Sequence, residues 1–127
     1  MNINYLDMLP EIKNKFKVNL LPEEKVIFTA KPWAFTTESG RLLGADDSRI
    51  TMTNRRIIAD NGQGIWTTDI AEDVVDMRRQ ESGKFLTKQV YILVTLNKEV
   101  TYGIGIQKLS GYQFHFYNKE IASFEEI

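Results

Sequence analysis

Cysteine is missing from this chain of 127 residues, and histidine is nearly so. Without cysteine there can be no disulfide, thiolate metal site or cysteine nucleophile, and such a composition suits a reducing cytoplasm. The single histidine, His115, argues against a transition-metal site, since these sites need several nitrogen or sulfur ligands. We therefore expect a protein that needs no cofactor or metal.

Long apolar runs and a strong charge of one sign are also missing. No stretch approaches the roughly 20 apolar residues that span a bilayer, and residues 1–7 lack the basic start and apolar run of a signal peptide. The formal net charge is −1, whereas a nucleic-acid-binding domain usually carries a basic footprint. We expect a cytoplasmic protein that binds no nucleic acid and could meet a membrane only peripherally, from its surface.

The composition is that of one globular domain with a core, since 43% of the residues are hydrophobic and 26% are charged. Alternation of apolar and polar side chains predicts a series of strands separated by short turns. Asn97-Lys98 is predicted as a two-residue loop between the last two of these strands. The predicted strands span residues 25–30, 40–44, 50–53, 57–59, 65–70, 74–80, 90–96 and 100–106.

The stretch 48–62 is the centre of the predicted fold. Residues 50–53 alternate between apolar and threonine side chains, and the aliphatic residues 57–59 return as a second strand. Asn54 is the predicted turn residue because asparagine tolerates a positive φ angle. Asn61-Gly62 behind this hairpin favours a type I′ turn.

The N-terminal residues show helical spacing. Leu9, Ile12 and Phe16 recur on one helical face, and Pro10 suits a first helical turn. This predicts a short amphipathic helix over residues 6–17, whose apolar stripe packs on the domain or, alternatively, on a partner or a lipid surface.

No catalytic motif emerges from the chain. The acid pairs Asp46-Asp47, Glu72-Asp73 and Glu125-Glu126 are adjacent in sequence, so their carboxylates would diverge along a strand instead of facing a substrate. His115 stands among aromatic residues without a nucleophile motif. We therefore expect a protein that is not an enzyme.

Basic residues form the candidate binding set, in two groups. Arginine can hold phosphate or carboxylate oxygens with two parallel hydrogen bonds. The alternative is that these residues are solvated or structural. The first group, at the central hairpin, is Arg49, Arg55 and Arg56. The second group is Arg78, in the predicted strand 74–80, and Lys84, in the turn after it.

The hairpin residues Ile50-Thr51-Met52-Thr53-Asn54-Arg55-Arg56-Ile57-Ile58 resemble the signature hairpin of bacterial PH-like and GRAM-like domains. Those families run a strand into Thr-Asn-Arg/Lys-Arg and out into an aliphatic strand. They also carry an upstream Leu-Pro-Gly/Glu-Glu segment, which Leu21-Pro22-Glu23-Glu24 matches here. The resemblance covers about residue 20 to the C-terminus, so residues 1–19 would be an N-terminal helical extension and residues 20–127 a PH-like domain.

The resemblance implies a mainly β fold, a β-barrel-like arrangement of two orthogonal antiparallel sheets with a C-terminal helix. Residues 112–117 alternate as in a strand, but the end of the chain also has helical spacing, with Ser110 as a candidate N-cap, and we follow the family in predicting the helix. That helical face comprises Phe114, Tyr117, Ile121 and Phe124.

The resemblance also implies a function. PH-like domains of bacteria assemble through their barrels, so we expect a non-catalytic interaction module that binds a protein partner and associates with itself as a homo-oligomer. The alternative is a peripheral module for an anionic lipid surface or phosphate, which would require the basic residues of both groups to converge in space.

Overall fold

Nine β-strands form nearly all the regular structure of the part of the chain that the computed structural model describes, residues 1–83, 89–102 and 107–117. The same part contains a 3-10 turn over Asn4–Met8 and one short helix, α1 (Ile70–Asp73). The predicted mainly β class is therefore confirmed. The strands are β1 (Val26–Ala30), β2 (Ala34–Thr37), β3 (Leu42–Gly44), β4 (Arg49–Thr53), β5 (Arg56–Asp60), β6 (Ile65–Asp69), β7 (Val74–Ser82), β8 (Gln89–Tyr102) and β9 (Gln107–Tyr117).

The strands form two antiparallel sheets, as predicted. One sheet has the order β1-β4-β5-β6 and the other the order β3-β2-β9-β8-β7. The chain passes between the sheets three times, through residues 31–33 after β1, through residues 45–48 after β3 and through α1 after β6. Within the described residues no strand of one sheet is hydrogen-bonded to a strand of the other, so the predicted barrel is not closed.

One hydrophobic core takes side chains from both sheets, because alternate residues of each strand point inward. On β6, Trp66 is buried, whereas its neighbours Ile65 and Thr67 are exposed. The Trp66 ring lies 4.6 Å from the ring of Tyr112 on β9 and 6.0 Å from that of Phe35 on β2, centroid to centroid. Burial of each such ring contributes about 2 kcal/mol or more, so these aromatic contacts hold the two sheets together.

The central hairpin is confirmed, with Met52 of β4 opposite Ile57 of β5, but its turn is not built as predicted. Asn54 does not take a positive φ angle. Instead, the Thr53 hydroxyl oxygen accepts hydrogen bonds from the backbone N–H groups of Arg55 and Arg56, at 3.0 and 2.8 Å. The Thr53 side chain thus takes the place of a backbone carbonyl as the hydrogen-bond acceptor that closes this turn.

The predicted type I′ turn at Asn61-Gly62 is wrong. A type I′ turn needs positive φ at both central residues, but only Gly62, at 86°, has it. The connection from β5 to β6 is a four-residue loop in which Asp60 lies opposite Ile65. The Asn61 side-chain oxygen accepts from the backbone N–H groups of Gln63 and Gly64, which closes the loop without left-handed geometry at Asn61.

The predicted N-terminal helix over residues 6–17 is wrong. The chain makes only the 3-10 turn and then runs without regular secondary structure to residue 25. The Ile12 N–H donates to the Val26 carbonyl of β1 at 2.9 Å, which ties this segment to the edge of the sheet. A short isolated helix is marginal in water, so such tertiary hydrogen bonds override its periodicity.

The predicted helix beginning near Ser110 is also wrong over its first part. Residues up to Tyr117 belong to β9, which pairs with β2 on one side and with β8 on the other. Tyr112, Phe114 and Phe116 are buried in the core. The remaining residues of that prediction, 118–127, lie outside the described part of the chain.

The predicted loop at Asn97-Lys98 is wrong as well, because β8 runs through both residues. The pairing of β8 with β9 shifts register between Thr95 and Val100, where five steps on β8 correspond to two on β9, from Gly111 to Leu109. The extra residues form a bulge, which bends a strand without reversing it.

Candidate functional site

Arg55 binds a carboxylate of the N-terminal segment. Its Nη1 donates to Asp7 Oδ1 at 2.7 Å, and Asn54 Nδ2 donates to the same oxygen at 2.8 Å. These hydrogen bonds, first from Arg55 and then from Asn54, lower the pKa of Asp7. The predicted binding residue Arg55 therefore anchors the N-terminal residues to the central hairpin.

Arg56 is held by a buried carboxylate. Its Nε and Nη2 donate to the two oxygens of Glu24 at 2.9 and 2.7 Å, in the bidentate geometry that arginine favours. The Glu24 carboxylate also accepts from the Thr53 hydroxyl at 2.7 Å and from the Leu21 N–H at 2.9 Å. Burial alone would raise the pKa of Glu24, but these bonds, led by those from Arg56, lower it to about 2.

These contacts explain why the Leu-Pro-Glu-Glu segment and the Thr-Asn-Arg-Arg hairpin occur together in this chain. Glu24 of the first binds Thr53 and Arg56 of the second, and the Lys25 backbone exchanges hydrogen bonds with Asn54 through its N–H and its carbonyl. The two sequence segments form one structural cluster. Most of the binding capacity of Arg56 is therefore used within the protein.

A tight loop of the N-terminal segment presents Lys15, Phe16 and Lys17 beside the four-stranded sheet. The Asn14 side chain clamps Val18, accepting from its N–H at 3.0 Å and donating to its carbonyl at 2.9 Å. Lys17 has a φ angle of 54°, in the left-handed region that is costly for a residue with a side chain. We call residues 14–18 the clamped loop.

The clamped loop borders a groove on the outer face of the sheet, with a volume of about 520 Å³. Outward-pointing residues of β4, β5 and β6 form its floor, and residues 15–19 form one rim. We call this the basic groove. The floor residues are Arg49, Thr51, Arg56, Ile58, Asp60, Ile65 and Thr67.

Positive charge dominates the basic groove. The Lys15 ammonium and the Arg49 guanidinium lie 5.6 and 5.7 Å from the ring centroid of Phe16, within the range of cation–π attraction. Arg49 also donates to the Asp47 carbonyl at 2.9 Å, a contact that leaves its charge uncompensated. Across the described residues, Lys15, Lys17 and Arg49 form no ion pair, and Asp60 is the one acid that lines the groove.

The predicted basic residues converge only in part. Arg49 and Arg56 line the basic groove, and Arg55 lies at the neighbouring turn. Arg78 is on β7 of the other sheet, where it donates to Asp76 at 2.8 Å. Lys84 lies outside the described residues, so its position relative to the others stays a prediction.

Sequence reasoning missed the clamped loop. The helix predicted over residues 6–17 contains Lys15, Phe16 and Lys17, whereas the structure places them in this loop. The available signal was a pair of cations flanking an aromatic residue, Lys15-Phe16-Lys17. These three residues indicate a binding site only once Phe16 is known to lie beside Arg49. The two are 33 residues apart, so no local sequence pattern predicts the contact.

Three of the four strands at the edges of the two sheets are protected against pairing with another chain. The edge of β1 is covered at Val26 by the Ile12 N–H, and β3 has only three residues and a register shift. The strand β7 has a register shift near its start and four charged residues, and both features oppose pairing with another strand. These charged residues are Asp76, Arg78, Arg79 and Glu81.

The fourth edge strand, β6, is neither covered by other described residues nor short, and its one charged residue is Asp69 at its end. It pairs with β5 over all five residues without a register shift, and it contains no lysine, arginine or proline. In the part of the chain that the structure describes, no strand pairs with its other edge. Ile65 is 67% exposed there, beside the exposed Thr67. Isoleucine and threonine favour strands, so β6 is a suitable template for an added strand.

His115 has a structural environment. Its Nε2 lies 2.8 Å from the Thr36 hydroxyl, and its ring is 5.3 Å from that of Trp33 and 5.7 Å from that of Tyr91, centroid to centroid. Partial burial lowers the pKa of His115. No group of three or more metal-binding side chains occurs within residues 1–83, 89–102 and 107–117.

None of the helices described is long and apolar enough to cross a bilayer. Comparison of the whole chain with protein-family models, with curated proteins and with solved structures finds no match in any of the three. The arguments for function are therefore those of the groove, the edge strand and the sequence resemblance.

Proposed function

We propose that the protein is a non-catalytic interaction module that binds protein, including a second copy of itself, through the edge of β6. The observation that carries the proposal is that, among the described residues, nothing covers the free edge of β6 and its only charge is the terminal Asp69, while the other three edge strands are covered, short or more heavily charged. An exposed edge binds an added strand through backbone hydrogen bonds, and side chains at alternate positions supply specificity.

The sequence of β6 suits pairing of two copies. In an antiparallel pair related by a twofold axis at Thr67, this residue would lie opposite Thr67 of the partner subunit. Ile65 would then lie opposite Asp69 of the partner subunit. Threonine pairs across strands are favourable, and no like charges oppose each other in this register. The two four-stranded sheets would join into one continuous sheet.

Sedimentation velocity over a range of protein concentrations tests the pairing. The Ile65→Lys/Thr67→Lys variant should stay monomeric at concentrations where the unmodified protein associates, because lysine at an edge opposes strand addition. The Leu42→Lys/Val75→Lys variant is the matched control, since it replaces exposed residues of β3 and β7 and adds the same charge. Association that persists in the first variant, or a monomeric unmodified protein, would refute pairing through β6.

The proposal includes membership of the bacterial PH-like or GRAM-like family. Two antiparallel sheets support it, as does the cluster that joins Glu24 to Thr53 and Arg56, because both parts of the family's sequence pattern meet there. Residues 20–127 would be the PH-like domain, with near-orthogonal sheets and a C-terminal helix, and residues 1–19 its extension. We propose the cytoplasm as its location, with association at the membrane periphery under the alternative function.

The alternative function is a peripheral module for anionic lipid or phosphate. Lys15, Lys17 and Arg49 favour it, since they share one groove without forming an ion pair in the described structure. Flotation with phosphatidylserine vesicles at low and at physiological salt tests it. Binding that falls with salt and is lost in Lys15→Glu/Lys17→Glu would support the lipid function. Equal flotation with uncharged vesicles, or none with either kind, would remove it.

A further inference from the structure

The basic groove offers cations that the protein itself does not neutralise. Arg55, Arg56 and Arg78 each form an ion pair with a carboxylate of this chain. Lys15, Lys17 and Arg49 form none within the described residues, although all three line the same groove. The chain as a whole carries a net charge of −1, so this positive charge is a local feature of the groove. Its complement is a ligand with carboxylate or other anionic groups.

The clamped loop holds part of this charge in a defined place. Asn14 binds both backbone groups of Val18, and the Lys17 N–H donates to the Asn14 carbonyl at 3.2 Å. Phe16 then lies between the loop and the sheet, within cation–π range of Lys15 and Arg49. A left-handed non-glycine residue such as Lys17 persists only where its surroundings hold it. The rim is therefore ordered before any ligand arrives, which reduces the entropy lost on binding.

The groove also has an apolar part. Ile65, at the edge of its floor, is 67% exposed, whereas Ile58 beside it is already buried at 5%. A free phosphate would leave this apolar surface in water. A ligand with an aliphatic side chain between its anionic groups would cover it, at a gain of roughly 25 cal/mol for each Å² buried. The volume of about 520 Å³ is in the range of specific ligand sites.

We infer that the basic groove binds an extended acidic peptide segment of a partner protein. Carboxylates of the segment pair with Lys15, Lys17 and Arg49, and an aliphatic side chain between them packs on Ile65. A peptide fits better than a bilayer, because the cations border a concave groove and not a flat or protruding surface. It also fits better than nucleic acid, which needs a larger basic footprint. The inference rests on the proposed protein-binding role but not on strand pairing at β6.

Fluorescence anisotropy with a labelled peptide of alternating glutamate and leucine tests this inference on the full chain at low salt. A second peptide with glutamine in place of glutamate is the ligand control. The protein variants are Lys15→Glu/Lys17→Glu, Arg49→Gln and, as a matched control of the same charge change, Lys13→Glu/Lys31→Glu. Lys13 and Lys31 are exposed and do not line the groove.

The expected result is saturable binding of the glutamate peptide that weakens about tenfold or more in both groove variants. The control variant should bind within about twofold of the unmodified protein, since screened distant charges contribute little. Circular dichroism and urea unfolding identify any variant that has not folded. If one groove variant fails to fold, the peptide affinity of the other tests the inference. Equal affinity for the glutamine peptide, or equal loss in the control variant, would overturn the inference.

Competition separates the acidic peptide from other anions. Inorganic phosphate at matched ionic strength should leave the peptide bound, because it cannot use the apolar floor. If phosphate displaces the peptide, or if only phosphatidylserine vesicles bind and the groove variants abolish that binding, the groove belongs to those ligands and the inference fails. The Lys15→Glu/Lys17→Glu variant should lose the peptide while it still associates in sedimentation velocity, since neither lysine lies on β6. Failure of strand pairing and failure of peptide binding are thus observed separately.

Discussion

At the scale of single residues, the carboxylate of Glu24 connects three parts of the chain. It accepts four hydrogen bonds, from the Leu21 N–H, the Thr53 hydroxyl and two nitrogens of Arg56. The Glu24 side chain is fully buried, while that of Arg56 is 20% exposed. Removing one partner of such a buried pair is costly because the other charge is left without compensation.

Glu24→Gln should lower the free energy of unfolding by about 3 kcal/mol at neutral pH. The pKa of Glu24 falls from its ordinary 4.5 to about 2 in the folded protein. Its contribution to stability is therefore fully present above about pH 5 and is lost as the pH falls toward 2. Urea unfolding at neutral pH and in this acidic window should show a fall in stability that is smaller in the variant.

Glu23→Gln is the matched control for that measurement. Glu23 is the neighbouring exposed residue, and the substitution removes the same charge. It should change stability by less than about 1 kcal/mol. If the two variants unfold alike at neutral pH, the Glu24–Arg56 pair does not stabilise the fold as described.

At the scale of elements, the N-terminal segment is ordered by hydrogen bonds and not by a helix. The clamped loop depends on Asn14, and the segment further upstream depends on Asp7 and on the Ile12 N–H. The helical spacing of Leu9, Ile12 and Phe16 therefore predicts a helix that the structure does not contain. Ile12 remains 41% exposed, so the apolar stripe that the helix would have buried does not form.

Asn14→Ala should release the clamped loop with little effect on the rest of the fold. The loss of two hydrogen bonds to Val18 is expected to cost about 1 kcal/mol, because the site is only partly buried. Trypsin should cleave after Lys15 and Lys17 faster in this variant, as followed by mass spectrometry. Asn4→Ala, at an exposed asparagine upstream of the clamped loop, should keep the original cleavage rate. An unchanged rate in Asn14→Ala would show that the clamp does not hold the loop.

The strands themselves were largely predictable, because one face of each sheet is buried. Alternation in β6 corresponds directly to buried and exposed side chains, whereas consecutive residues of β4 and β5 are buried. The spacing of the aromatic residues in β9 is compatible with both a strand and a helix. The segment is a strand because it pairs with β2 on one side and β8 on the other, and the sequence of the segment alone does not reveal that pairing.

At the scale of the whole molecule, the candidate site was only partly predictable. Arg49 and Arg56 belong to the predicted binding set, but the ion pair that engages Arg56 depends on Glu24, 32 residues earlier. The groove exists because an irregular segment lies beside a sheet, and nothing in its local sequence specifies that position. The protection of three edges and the exposure of β6 likewise depend on strand order, which alternation does not reveal.

The pairing of β2 with β9 has a consequence for synthesis of the chain. Ala34 lies opposite His115, so the strand that pairs with this side of β2 is synthesised about eighty residues after it. The strands β4, β5 and β6 pair with near neighbours in sequence and can fold as they leave the ribosome. Until β9 emerges, the aromatic side chain of Phe35 has no ring from that strand to pack against. We therefore expect a stage of synthesis in which β4, β5 and β6 can pair while the core residues of β9 have not yet been made.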